Sequence, residues 1–419
     1  MTPGGSLVDL RPLRSSPAFR RLWIGNTTAA LSGQLALVAV LYQVWQLTHS
    51  AGWVGAIGLA DAVPTALFGL LGGVLADAVD RRRLVIATTA GAVVPAGLLG
   101  VQAGLHLRSL ATVLILVAVQ TSCVALGFSA RRTFIARLLP REQVPAGVAL
   151  NQISFQLAML AGPALAGLVL AGWGLTACYL LDAAAIAVSV YGVARLPRMP
   201  PIGSSAPVGP RALVDGWRFL IHRPVLRGSV ATDLAATVLA MPIALFPVLN
   251  QQRFGGNPQT LGLFLSAIAV GGIAASLISG PVTRAPRPGA VMLAAAAGWG
   301  AALAGFGAVH TLAPTLGCLA VAGAADTISV ISRGTVVQLA TPDAYLARIS
   351  SVENVVGVAG PGLGNARAGA VASLTSAPVA AVTGGLTCLV AVTALAAINP
   401  VLRRWRHQEN VKTAATSTP

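Results

Sequence analysis

Apolar runs of about 20 residues recur along the whole chain, and this recurrence constrains the fold more than any other feature. A helix of that length crosses the hydrocarbon core of a bilayer with its backbone donors and acceptors paired internally. Twelve runs are legible, near residues 22–47, 52–76, 84–106, 110–129, 146–171, 175–194, 225–249, 261–282, 290–309, 312–332, 349–373 and 379–398. Only 10% of the 419 residues are charged, against about 25% in a soluble domain. The expected fold is all-α and integral to a membrane.

The arginines divide the loops into two sets. The N-tail, the even-numbered loops, the middle linker and the C-tail hold 25 of the 28 basic residues, leaving Arg108, Arg253 and Arg367 for the opposite face. By the positive-inside rule the rich face, with both termini, is cytoplasmic at the cell membrane. The net charge of +16 is therefore a topology signal; nucleic-acid binding would need basic residues on one face with interleaved aromatics. The cysteines Cys123, Cys178, Cys318 and Cys388 fall inside apolar runs without a CxxC pair, so neither disulfide nor metal site is expected. The five histidines lie at run ends or in polar segments, and no HExxH, GxSxG or Walker pattern occurs. A membrane-bound enzyme would need a catalytic cluster deep in a span, and none is present. No cofactor is expected.

The stretch 195–223 is the one long polar interruption, rich in proline, glycine and serine. It divides a half at 22–194 from a half at 224–400, with tails at 1–21 and 401–419. The halves echo one another. Pro17-AF-Arg20 precedes Asn26 as Pro224-VL-Arg227 precedes Asp233. Arg132-x5-Leu138 matches Arg333-x5-Leu339, and Gly162-Pro163 matches Gly360-Pro361. Such internal repeats point to a secondary transporter with its site near the interface of two six-helix halves.

Between the second and third runs stands Gly72-GVLADAVDRRR-Leu84. This loop resembles the signature of the major facilitator superfamily, G-x-L-A-D-R-x-G-R-[KR]-x, through Gly73, Leu75, Ala76, Asp77, Arg81 and Arg82. Ala78 and Asp80 depart from it. Ser16-PAFRRLW-Ile24, Phe219-LIHRPV-Leu226, Arg284-APRP-Gly289 and Gln338-LATPDAYLARI-Ser350 resemble the branch holding enterobactin-type siderophore exporters and macrolide efflux pumps. The resemblance implies twelve helices in two pseudo-symmetric halves and export by alternating access, by a monomer, with no nucleic-acid partner. Gly73, Asp77, Arg81 and Arg82 would form a gating loop. There Asp77 either latches onto the positive N-terminus of the eleventh helix, or the arginines merely anchor the loop at anionic lipid. Gly162, Pro163 and Gly167 resemble an exporter glycine–proline motif, whose bland reading is tight helix packing.

Five acids fall inside runs: Asp61, Asp182, Asp233, Asp326 and Glu353. An intramembrane carboxylate is costly and so a candidate for function. Asp61, Asp233 and Asp326 are expected to carry protons or line the substrate cavity, unless they are polar contacts between helices. Asp182 reads as structural. Glu353 reads as the last residue of a capping box begun at Ser350. Arg367 reads as a snorkelling side chain or a positive charge near the outer mouth suited to an anionic catecholate. The partners implied are a small-molecule substrate, protons and lipid.

Overall fold

The computed structural model describes residues 9–200, 210–283 and 285–405. Arg284 and the stretch 201–209 lie outside the described residues. No strand occurs among the described residues. The main helices are α1 (Pro17–Thr48), α2 (Ala51–Ala78), α3 (Arg81–Gly104), α4 (Leu110–Arg132), α5 (Val144–Ala194), α6 (Pro210–His222) and α7 (Pro224–Ala240). They continue with α8 (Phe246–Phe254), α9 (Pro258–Leu277), α10 (Pro288–Ala308), α11 (Leu312–Ala340), α12 (Asp343–Leu374) and α13 (Ala377–Ile398).

Ten helical segments among the described residues are long and apolar enough to cross a membrane. The continuous 51 residues of α5 contain two spans, because Gly174 breaks the helix at φ 79°. The two segments run antiparallel past α1. Leu150 on the first accepts from Trp23, and Gly192 on the second lies against the backbone of Arg21. α12 is 32 residues long but carries Arg348, Glu353 and Arg367. Counting α5 twice and adding α12 is consistent with the twelve expected spans.

The chain divides into two compact units, one from Met1–Leu47 and Pro64–Pro207, the other from Thr48–Val63 and Val208–Pro419. α2 contributes to both, and the division falls at Pro64, where the ring removes a backbone donor from the helix. In unit 1, Leu22, Ala76, Val85, Ala130, Phe134, Val193 and Met199 form a buried cluster at one end of the helices. In unit 2, Phe246, Phe264 and Phe306 pack edge to face with centroids 5.5–5.9 Å apart. Small residues let backbones close up elsewhere. A methyl at Gly25 would lie 2.9 Å from the Ser189 backbone, and one at Gly58 would lie 2.9 Å from the carbonyl of Gly362.

Two arginines close helix ends in unit 2. α7 breaks before Pro242, which leaves orphan carbonyls at its C-terminus. Arg367 on α12 donates to one of them, the Leu239 carbonyl. Arg253 donates to the carbonyls of Phe306, Gly307 and Val309 at the end of α10. A cation at a helix C-terminus is favoured by the dipole. Arg367 is therefore engaged inside unit 2 and does not snorkel.

Candidate functional site

Two acids of unit 2 meet on one arginine. α7 presents Asp233, α11 presents Arg333 and α12 presents Glu353. The Arg333 guanidinium pairs with the Asp233 carboxylate, and its Nε lies 3.9 Å from Glu353 Oε1. All three side chains keep less than a quarter of their surface. Asp326 stands two helical turns before Arg333 on α11 and feels the charges of both Arg333 and Asp233. Two carboxyls meet one guanidinium, and with Asp326 two turns away on α11 the fully ionised group would carry a formal charge of −2. Each proton bound brings it nearer neutrality, and two complete the balance.

Unit 1 repeats the arrangement with the acid removed. Arg131, in the last turn of α4, donates to Asn26 Oδ1 at 2.7 Å, Thr89 Oγ1 at 2.7 Å and Ser189 Oγ at 3.2 Å. Every one of these acceptors is neutral. They take three of the five N–H donors of the guanidinium and leave its charge unbalanced. Farther along the α1–α5 seam, fully buried Asp182 accepts from Ser32 and Gln120, both at 2.8 Å. That holds a carboxyl between three helices, consistent with its structural reading.

Asp233 is thus placed on Arg333, with Asp326 two turns away on the same helix as that arginine, whereas Asp61 is exposed on the part of α2 that belongs to unit 2. Its neighbour Ala62 packs against Gly362. Glu353 joins the cluster although it reads as a cap in the sequence. α12 begins at Asp343 behind Pro342, so residue 350 stands in the helix interior, away from the orphan donors that a capping box would serve. The helix therefore also starts six residues before the expected 349.

The loop signature is built from local caps. Arg81 donates to the Ala76 carbonyl at 3.1 Å near the end of α2. Arg82 donates to the Ala194 carbonyl at 2.6 Å, at the end of α5. Asp80 is the N-cap of α3, accepting from the Arg83 N–H, and it also accepts from Met199 N–H, both at 3.0 Å. Burial raises the Asp80 carboxyl, but the N–H groups of Arg83, Met199 and Arg82 outweigh it and hold the group below the usual carboxylate range. A methyl at Gly73 would lie 3.8 Å from the Ser129 hydroxyl, an ordinary contact distance. Asp77 lies in the last turn of α2, and its side chain is outside the described residues.

The glycine–proline motif packs α5 on α1. A methyl at Gly162 would lie 2.5 Å from Gln34 Cβ, and Pro163 and Gly167 are buried beside it. In unit 2, Gly360 of α12 meets Thr237 of α7 at a matching place in the repeat.

Sequence reasoning missed Arg131 and Arg333 because both count as loop residues when runs are ended at the first charge. The repeat held the signal. Asn26 and Asp233 occupy matching positions, and each meets an arginine from the fourth helix of its own half. The match is to Arg131, one residue from the Arg132 that the sequence echo picks out.

The chain matches the model of the transmembrane secretion effector family over residues 8–418. It is 28% identical over 414 residues to the enterobactin exporter of Shigella flexneri, covering 98% of each chain. It is 27% identical to the enterobactin exporter of Escherichia coli strain SMS-3-5 / SECEC, over 98% of this chain and 99% of that one. Among solved structures it superposes on a nucleoside transporter with a TM-score of 0.74 at 13% identity, covering 91% of this chain and 99% of that one. A bacterial homologue of the iron transporter ferroportin, in an inward-facing state, gives a TM-score of 0.69 at 15% identity, covering 95% and 100%. These structures share its fold.

Proposed function

Because this chain belongs to the transmembrane secretion effector family of the major facilitator superfamily, we propose that it is a proton-coupled exporter of a small organic anion, in the first place a siderophore of the enterobactin type. It is a multi-pass membrane transporter and not an enzyme. The observation that carries the finer reading is the uneven division of charge. One unit holds a guanidinium faced by neutral oxygens, and the other sets two carboxyls on a guanidinium with a third two turns along the same helix. The first suits an anionic group of a substrate. The second suits proton uptake, since each proton reduces an excess negative charge in a medium where charge is costly. Export and the siderophore class are carried over from the enterobactin exporters.

The transporter works as a monomer by alternating access, with both termini cytoplasmic. Gly73, Asp77, Arg81 and Arg82 serve as its gating loop, and Asp61 is a second proton site. Reporter fusions at Ser205 and Thr416 are expected to report cytoplasm, and an external signal at either refutes the orientation.

The test of function is uptake of an iron-free catecholate chelator into inverted vesicles under an imposed pH gradient. Uptake that follows the gradient and disappears in Asp233→Asn supports the reading. No chelator uptake, together with gradient-driven accumulation of a macrolide or a cationic dye, moves the assignment to drug efflux.

A further inference from the structure

α6 is a 13-residue helix, about 20 Å long and too short to cross a bilayer. It ends at His222, and a single extended residue, Arg223, separates it from membrane-spanning α7. Its C-terminal end therefore lies at the bilayer boundary by chain connection alone. One face grips α12. Gly216 lies against the Arg348 backbone, Phe219 stacks on Tyr345 at 4.2 Å, and Leu220 is buried with Leu226, Val337 and Ile349. Asp215 reaches Arg348 at 3.7 Å.

The opposite face carries Val214, Trp217 and Ile221, with 50%, 42% and 39% of their surfaces exposed. Their spacing of three and seven residues places them within about 60° of one another around the helix. Exposed apolar residues on spanning helices meet lipid as a matter of course, but α6 does not span. Arg218 is exposed beside this stripe, and Arg223 and Arg227 are exposed where α6 meets α7. Asp215, the described acid on α6, is already turned to Arg348. An apolar stripe bordered by exposed arginines at the membrane edge has the composition of an interfacial helix.

We infer that α6 lies in the headgroup layer on the arginine-rich side of the bilayer. Val214, Trp217 and Ile221 enter the acyl boundary, and Arg218, Arg223 and Arg227 bind anionic phospholipid. α12 carries Glu353 less than two turns beyond Arg348, so lipid bound at α6 bears on the helix that meets Arg333. That consequence rests on the proposed role of the Arg333 cluster; the lipid site itself does not.

The test uses the full-length protein with its four cysteines replaced, spin-labelled at Val214→Cys, Ile221→Cys or His222→Cys in vesicles. Phosphatidylcholine alone is compared with phosphatidylcholine holding about 30 mol % phosphatidylglycerol. Labels at 214 and 221 are expected to be reached by oxygen and shielded from a water-soluble nickel chelate, and the label at 222 to be reached by the chelate. Chelate access at 214 and 221, or exclusion of both reagents, overturns the proposal. Phosphatidylglycerol is expected to stimulate transport, with the lipid concentration for half-effect rising about fivefold for each of Arg218→Gln and Arg223→Gln. Stimulation unchanged in these variants overturns the anionic-lipid role. The label readout needs no substrate, so an error in the transport assignment leaves it interpretable.

Discussion

The guanidinium of Arg131 meets the side-chain oxygen of Asn26 at 2.7 Å, at the place in unit 1 where unit 2 pairs Arg333 with the carboxylate of Asp233. One difference between the repeats, amide against carboxylate, changes the electrostatics of each unit. The pair in unit 2 is charge-matched and over-supplied with acid by Glu353 and Asp326, whereas the pair in unit 1 leaves a positive charge open.

Asp233→Asn is expected to remove gradient-driven transport and to lower stability by roughly 3–5 kcal/mol at most, because it leaves a largely buried guanidinium without its main partner. The residual pairing with Glu353 sets the loss below that limit. Thermal melting in detergent and vesicle uptake measure the two effects. The exchange Asp233→Arg with Arg333→Asp is expected to recover stability in part. No recovery relative to the single variants speaks against a direct pair.

Arg131→Gln is expected to raise KM for an anionic substrate at least about tenfold, the equivalent of one charge-assisted hydrogen bond, and to lower stability by about 1–3 kcal/mol as Thr89 and Ser189 lose their partner. Asn26→Asp is expected to act in the same direction by supplying the missing counter-charge internally. Normal KM in both variants removes Arg131 from substrate binding.

Asp80→Ala is expected to cost about 1 kcal/mol through loss of the α3 N-cap, and Asp80→Asn less, since asparagine caps nearly as well. Asp80 is held below the usual carboxylate range in the folded protein. Its charge-dependent contribution is therefore present above the unfolded value of about 3.9 and is lost as pH falls through the folded value. The melting difference between the parent protein and the Asp80→Asn variant should be flat near neutrality and shrink below about pH 4. A difference that grows on acidification contradicts this sign.

Arg367→Gln is expected to lower stability by about 0.3–2 kcal/mol, because the broken end of α7 loses its cation. Its effect on transport should be similar for anionic and neutral substrates. A selective loss for anions returns Arg367 to the substrate path.

The sequence by itself determined the membrane spans, the repeat and the loop signature. Each follows from local order: a bilayer requires about 20 apolar residues per helix, and the Gly73–Arg82 motif is contiguous. Asp233 and Asp326 were legible as candidates because an acid inside an apolar run stands out. Their partner was not. Arg333 sits where a run yields to charge, so only the extension of α11 to Ala340 carries it into the bundle. Glu353 changed from cap to cluster member for the same reason, since α12 starts at Asp343. The polar composition of 195–223 concealed α6, whose helix is held by packing against Tyr345 and Arg348 on a distant segment. Tertiary structure decided which charges meet, because that depends on how helices far apart in sequence are packed. Hydropathy records the length of each helix but not its neighbours.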